Sequence, residues 1–289
     1  IVSMATIWPN PPPGSGCYRP PMPRRPAGTF ETRTIDQLAI DDERSFAHVA
    51  LYADLKAVLL RDGYAVRVLP RRWRGRWDRA LLLNLTFWGG AGGDVLVDDH
   101  LPADVLAHAA WHHLAAGALG RSGAALFLGE AIASAFDVYL VGRLLGRAPR
   151  SSFLATQGAA MAEATEAAGL SGKGFQALLA RLARNPERAF ESLRELLFDA
   201  TSALSRCPDA TAALAALAAF DRHPFAPLLH RYELSNWVLY ARAYAAGDAA
   251  SVEAAGEVDR TLRSKGDAAL SWLATAWVTP ALGRVDSGA

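Results

Sequence analysis

A chain of 289 residues that is 51% hydrophobic and 20% charged holds enough apolar matter for one large domain or two modest ones. Thirty Lys and Arg against 29 Asp and Glu leave a net charge of +1, which excludes a global electrostatic attraction to nucleic acid or to anionic membrane. Two cysteines, Cys17 and Cys207, make neither a disulfide framework nor a thiolate metal site, so a reducing, cytoplasmic setting is expected.

The first 28 residues are rich in proline and lack a continuous apolar run, so they read as a disordered leader rather than a secretory signal. The start Ile1-Val2-Ser3-Met4 is expected to be a vector remnant ahead of a natural Met4. Apolar spacing across 42–61 predicts one helix, ended by Asp62-Gly63. Three β-like runs follow at 64–69, 80–87 and 94–97, and they predict a small mixed or antiparallel sheet. Between them, the basic aromatic stretch from Arg71 to Trp77 reads as an exposed hairpin tip or loop, and Gly89 to Gly93 as a flexible turn without a phosphate-binding lysine. Asp98, Asp99, Pro102 and Ala103 supply helix-start signals for a helix running to about Leu119.

From Ala124 onward, breaks at 146–149, 169–174, Asn185-Pro186, Cys207-Pro208, His223-Pro224 and Gly247 leave room for roughly seven helices. No stretch is expected to span a bilayer, since Asp137 and Arg143 interrupt even 131–145. The fold class is therefore α+β and predominantly α-helical. Its expected divisions are the leader at 1–28, a small α+β part at 29–122 and a helical part at 123–289.

The first of these helices carries the chemistry. His108 and His112 are four residues apart, so they project from one helical face about one turn apart, the chelating arrangement of an H-E-x-x-H helix. Further on, Glu130, Ser134 and Asp137 share a face of the next helix, offering one carboxylate ligand and a second carboxylate to hydrogen-bond an imidazole. His113 is rotated about 100° from His112 and reads as a flanking residue, and His100 as a cap or entrance residue.

These residues resemble the gluzincin group of zinc metallopeptidases over roughly 80–146. Gly129-Glu130-Ala131-Ile132-Ala133-Ser134 is similar to the pattern around that group's third ligand. The resemblance implies a zincin-like core, with His108, His112 and Glu130 as Zn2+ ligands and Asp137 behind them. It also implies a peptide or protein substrate that adds to the 94–97 edge strand. His230 or one of Tyr232, Tyr240 and Tyr244 would then serve as a hydrogen-bond donor to a developing oxyanion. The chain departs from the group at Ala109, where the general-base glutamate belongs, and in a slightly short interval between His112 and Glu130.

Three functional readings follow: a hydrolase of peptides or amides whose base is replaced, naturally or by design; a pseudoenzyme that binds a peptide or protein partner; and a non-haem Fe2+ oxygenase using a 2-His-1-carboxylate site.

Overall fold

A computed structural model describes residues 30–74, 95–245 and 247–283. Helices dominate it, with a small amount of sheet near the N-terminal end of the described chain. Strands β1 (Glu31–Thr34), β3 (Ala65–Val68) and β4 (Val95–Leu96) form one sheet in the order β1-β3-β4, antiparallel then parallel. Strands β2 (Ala39–Asp41) and β5 (His100–Pro102) pair in parallel as a second, two-stranded sheet. The expected runs at 64–69 and 94–97 thus appear as β3 and β4, whereas 80–87 lies outside the described residues. Residues 100–102, read as an approach to a helix, are a strand instead, because β2 supplies their hydrogen-bond partners.

The segment 42–61 is two helices rather than one, α1 (Glu43–Phe46) and α2 (Ala50–Arg61). Asp42 explains part of this. It adopts φ 59°, and its carboxylate accepts hydrogen bonds from Ser45 Oγ, Ser151 Oγ and the Phe153 amide. A distant turn therefore holds the start of α1, and the chain re-enters helix only at Ala50.

Ten further helices follow among the described residues: α3 (Ala103–Leu119), α4 (Gly123–Leu144), α5 (Ser152–Ala167), α6 (Gly172–Arg184), α7 (Pro186–Ser205), α8 (Ala210–Ala218), α9 (Leu234–Tyr244), α10 (Ala249–Lys265), α11 (Ala269–Leu273) and α12 (Thr279–Gly283). Ser122, Ser151, Ser171, Asn185, Asp209 and Asp248 each accept a hydrogen bond from the first turn of the helix they precede. Such a cap satisfies one otherwise orphaned N–H and contributes about 1 kcal/mol. At the other end of α3, Gly120 stops the helix at φ 75°, a conformation costly for a side-chain-bearing residue.

Helix α4 is the centre of the molecule. It is buried along nearly its whole length and packs against α3, α6, α7, α9 and α10. By length and composition it is apolar enough to cross a membrane, contrary to the expectation that no stretch qualifies, and most of it is buried inside the protein. Fully buried Phe136 stacks on Tyr139 and meets Trp111 edge-on, so Phe136→Ala should cost about 3–5 kcal/mol. One contiguous cluster of buried residues runs from Ile35 to Ala281, across both the 29–122 and 123–289 segments.

Between α7 and α10 lies a buried charge network. Arg194, fully buried, donates to both carboxylate oxygens of Glu191 and to Asp259. Asp259 also accepts from Arg263, which reaches Glu195 and Asp199.

Candidate metal centre

Helix α3 carries Asp104, His108 and His112 at four-residue intervals, a row that drifts only about 40° per step. Helix α4 crosses this row closely because small residues meet there. A Cβ added to Gly129 would lie 3.3 Å from the Ala115 Cβ and 3.9 Å from His112 Nδ1. The glycine therefore brings the α4 backbone up to the His112 ring, and Glu130, the next residue, follows it into the site.

The ligand atoms of His108, His112 and Glu130 all lie within 4.8 Å of one another. The two Nε2 atoms are 3.2 Å apart, and Glu130 Oε1 is 3.8 Å from His112 Nε2. Two imidazole nitrogens bound tetrahedrally to one zinc at about 2.05 Å would stand about 3.3 Å apart, so the histidine pair already has ligand spacing. Behind it, Asp137 Oδ2 lies 3.1 Å from His108 Nδ1, the arrangement that fixes the tautomer and orientation of a metal-ligating imidazole.

Glu130 is 2% exposed, and its Oε1 has no hydrogen-bond partner among the described residues. Asp137 Oδ1 and the Tyr232 hydroxyl are likewise buried without a partner. A buried acceptor left unsatisfied costs about 1–3 kcal/mol, and more when charged. The donor set fits a cation: two imidazoles, one orphaned carboxylate oxygen and no thiolate.

The electrostatics point the same way. Burial pushes the Glu130 carboxyl up to about 8, with His108 opposing and Asp137 adding to the shift. Burial acts to lower His108, but the charge and hydrogen bond of Asp137, with Glu130 and Asp104, outweigh it and raise the imidazole to about 9. Burial and the neighbouring His108 hold His112 well below its ordinary value. Asp104, raised to about 6 by burial and Asp137, places a third carboxyl in the field of the site. Without a metal, the cluster therefore retains protons on groups that a divalent ion would strip.

Ala109 is 5% exposed and carries no polar atom into this cluster. His230 is exposed at the end of the short turn Ala226–Arg231. Two residues on, the Tyr232 hydroxyl is buried, and burial raises it to about 12, against Arg231 and with Asp137. The charge of Asp137 thus reaches the Tyr232 phenol. His223 belongs elsewhere, bonded to Ser192 and to the Phe225 amide. His113 and His100 pair with Asp62 and Asp41 respectively. Tyr139 accepts from Arg143. In the basic stretch, Arg71–Trp73 forms a 3-10 turn, Arg72 stacks on Trp73 and Arg74 pairs with Asp99, while 75–77 lie outside the described residues.

Sequence reasoning passed over Asp104. Its signal is present in the sequence, because it extends the His108, His112 row by one turn. Comparison with models of known protein families, with curated proteins and with solved structures finds no match.

Proposed function

We propose that this chain holds one zinc ion through His108, His112 and Glu130, and that the site is that of a gluzincin-like hydrolase of peptides or amides whose general base is replaced by Ala109. The observation that carries this reading is the orphaned, buried Glu130 Oε1 beside two Nε2 atoms at ligand spacing. When bound, zinc would supply Lewis acidity and an activated water.

The chain's own groups would do the rest. Asp137 holds the His108 ring, and the Tyr232 hydroxyl, having no hydrogen-bond partner among the described residues, is available to donate to a substrate oxygen near Asp137. Strand β4, at one end of the β1-β3-β4 order among the described residues, would offer main-chain groups to an extended peptide. The missing proton acceptor at position 109 predicts slow turnover, since one acid-base group commonly contributes about 100-fold to 10,000-fold.

Ala109→Glu tests the hydrolase reading. Position 109 is nearly closed to solvent and directly follows the first histidine, where an H-E-x-x-H helix carries its glutamate. In zinc-loaded protein this change should raise hydrolysis across a peptide library by at least about 100-fold. A folded, zinc-loaded Ala109→Glu protein that stays inert would replace the hydrolase with a non-catalytic peptide-binding site. Loading that succeeds with iron and fails with zinc would move the assignment to 2-His-1-carboxylate oxygen chemistry.

A further inference from the structure

The end of α6 and the start of α7 enclose a second site, remote in sequence from the metal ligands. A pocket of about 230 Å³ is lined by Arg181, Arg184, Asn185, Arg188, Ser192 and Phe225, with smaller neighbours completing the wall. Helix α6 favours basic residues in its last turn, where carbonyl groups are left over. That preference accounts for Arg181 and Arg184 being basic, but not for their convergence with Arg188 of α7 around one cavity.

Among the described residues, neither Arg181 nor Arg184 forms an ion pair. The nearby carboxylate is Asp267, which accepts from Asn185 Nδ2 at 2.9 Å and from Arg188 Nη1 at 3.2 Å. Glu195 and Asp199, whose charges reach His223 beside the pocket, are held by Arg263, so Asp267 is the carboxylate set against the three guanidiniums, an excess of two positive charges at the pocket.

Ser192 adds a neutral donor. The Phe225 amide donates to His223 Nδ1 at 3.1 Å, so in the neutral ring the proton sits on Nε2, 3.3 Å from Ser192 Oγ. Burial lowers the His223 pKa and favours that neutral ring. Ser192 Oγ thus accepts from the imidazole, and its own O–H donates to nothing among the described residues.

We propose that this pocket binds a small phosphate-bearing anion, a phosphomonoester or free phosphate, through Arg181, Arg184, Arg188 and the Ser192 hydroxyl. A phosphomonoester carries about −1.5 to −2 charge at neutral pH, matching the excess, and its oxygens suit the planar forks of arginine. The volume lies below the roughly 300–1,000 Å³ of drug-sized sites, which favours a small anion over an extended ligand. Buried Phe225 gives the floor an apolar surface for the carbon part of an ester.

Calorimetric titration of chelator-treated protein with inorganic phosphate, glycerol 3-phosphate and acetate, at constant ionic strength, tests this. Chelation removes any contribution from the metal centre. Saturable one-site binding of phosphate or the ester, with acetate at least about tenfold weaker, is expected. Response to the ester alone would identify a phosphorylated metabolite, and equal response to both a phosphate site. Arg181 and Arg184 are exposed, so Arg181→Gln with Arg184→Gln should leave the melting temperature unchanged while weakening binding at least about tenfold. Ser192→Ala should weaken it further. No saturable binding, or binding that survives the arginine substitutions, would overturn the proposal.

Discussion

Two buried polar clusters in this protein are built from similar residues to opposite ends. In the α7/α10 network, Arg194 is fully buried, yet it is met by Glu191 and Asp259, and Asp259 is met in turn by Arg263. In the α3/α4 cluster, Glu130 and Asp137 each leave a buried oxygen unpartnered, and three carboxyl groups surround imidazoles rather than arginines. The first cluster is closed: each of its carboxylates, Glu195 and Asp199 included, accepts a hydrogen bond from Arg194 or Arg263. The second is open: buried oxygens of Glu130 and Asp137 have no hydrogen-bond partner among the described residues. A protein core tolerates such an imbalance where something outside the chain completes it, as residues organised for function often carry a stability penalty.

The largest expected effect lies in the closed cluster. Arg194→Ala strands Glu191 and Asp259 in the core, and breaking a buried pair this way costs about 3–5 kcal/mol. Denaturant melts should show that loss with zinc present or absent. A change under about 1 kcal/mol would mean the network is solvated and the contrast is false.

In the open cluster, removing a charge acts differently. Asp137→Asn weakens the hold on His108 and should reduce zinc affinity about 10-fold to 100-fold, measured by competition with a chromogenic chelator. Unchanged affinity would show that Asp137 does not orient the ligand. Glu130→Gln removes a carboxylate that burial already disfavours, so the metal-free protein should gain stability at pH 8 while losing tight zinc binding. Destabilisation of the metal-free form would place Glu130 in a closed network like that of Arg194.

The smallest effect is a pH dependence. His108, raised to about 9, contributes stability that is full below its ordinary value near 6.5 and is lost as pH rises through 9. Glu130, raised to about 8, resists ionisation, so its buried charge becomes a growing burden as pH climbs from about 4.5 to 8. Both act in one direction between pH 6.5 and 8, and His108 continues to about 9, so the melting temperature of metal-free protein should fall across this range. Zinc displaces both protons and should abolish the fall. A metal-free melting temperature that is flat over this window would contradict the shared-cluster electrostatics.

What the sequence made legible was local. The boundaries at Asn185-Pro186, Gly169 and Gly120 follow from caps and glycines that act within a turn or two. The pairing of His108 with His112, and the common face of Glu130 and Asp137, follow from helical periodicity alone. Features that depend on a distant partner were not legible. Strand β5 exists because β2, some sixty residues earlier in the chain, pairs with it, and β1 because β3 does. The break between α1 and α2 reflects Asp42 being held by Ser151 and Phe153. Tyr232 could be named among nearby tyrosines, but only packing shows that its hydroxyl is buried and reached by the charge of Asp137, while His230 is exposed.

Zinc content tests the central claim most directly. Protein supplemented with zinc at neutral pH and then freed of unbound metal should retain about one equivalent by elemental analysis, with X-ray absorption showing nitrogen and oxygen ligands at about 2.0–2.2 Å. His112→Ala should retain none. Wild-type protein that retains no transition metal would contradict the account, leaving the α3/α4 cluster as a set of buried groups that keep their protons.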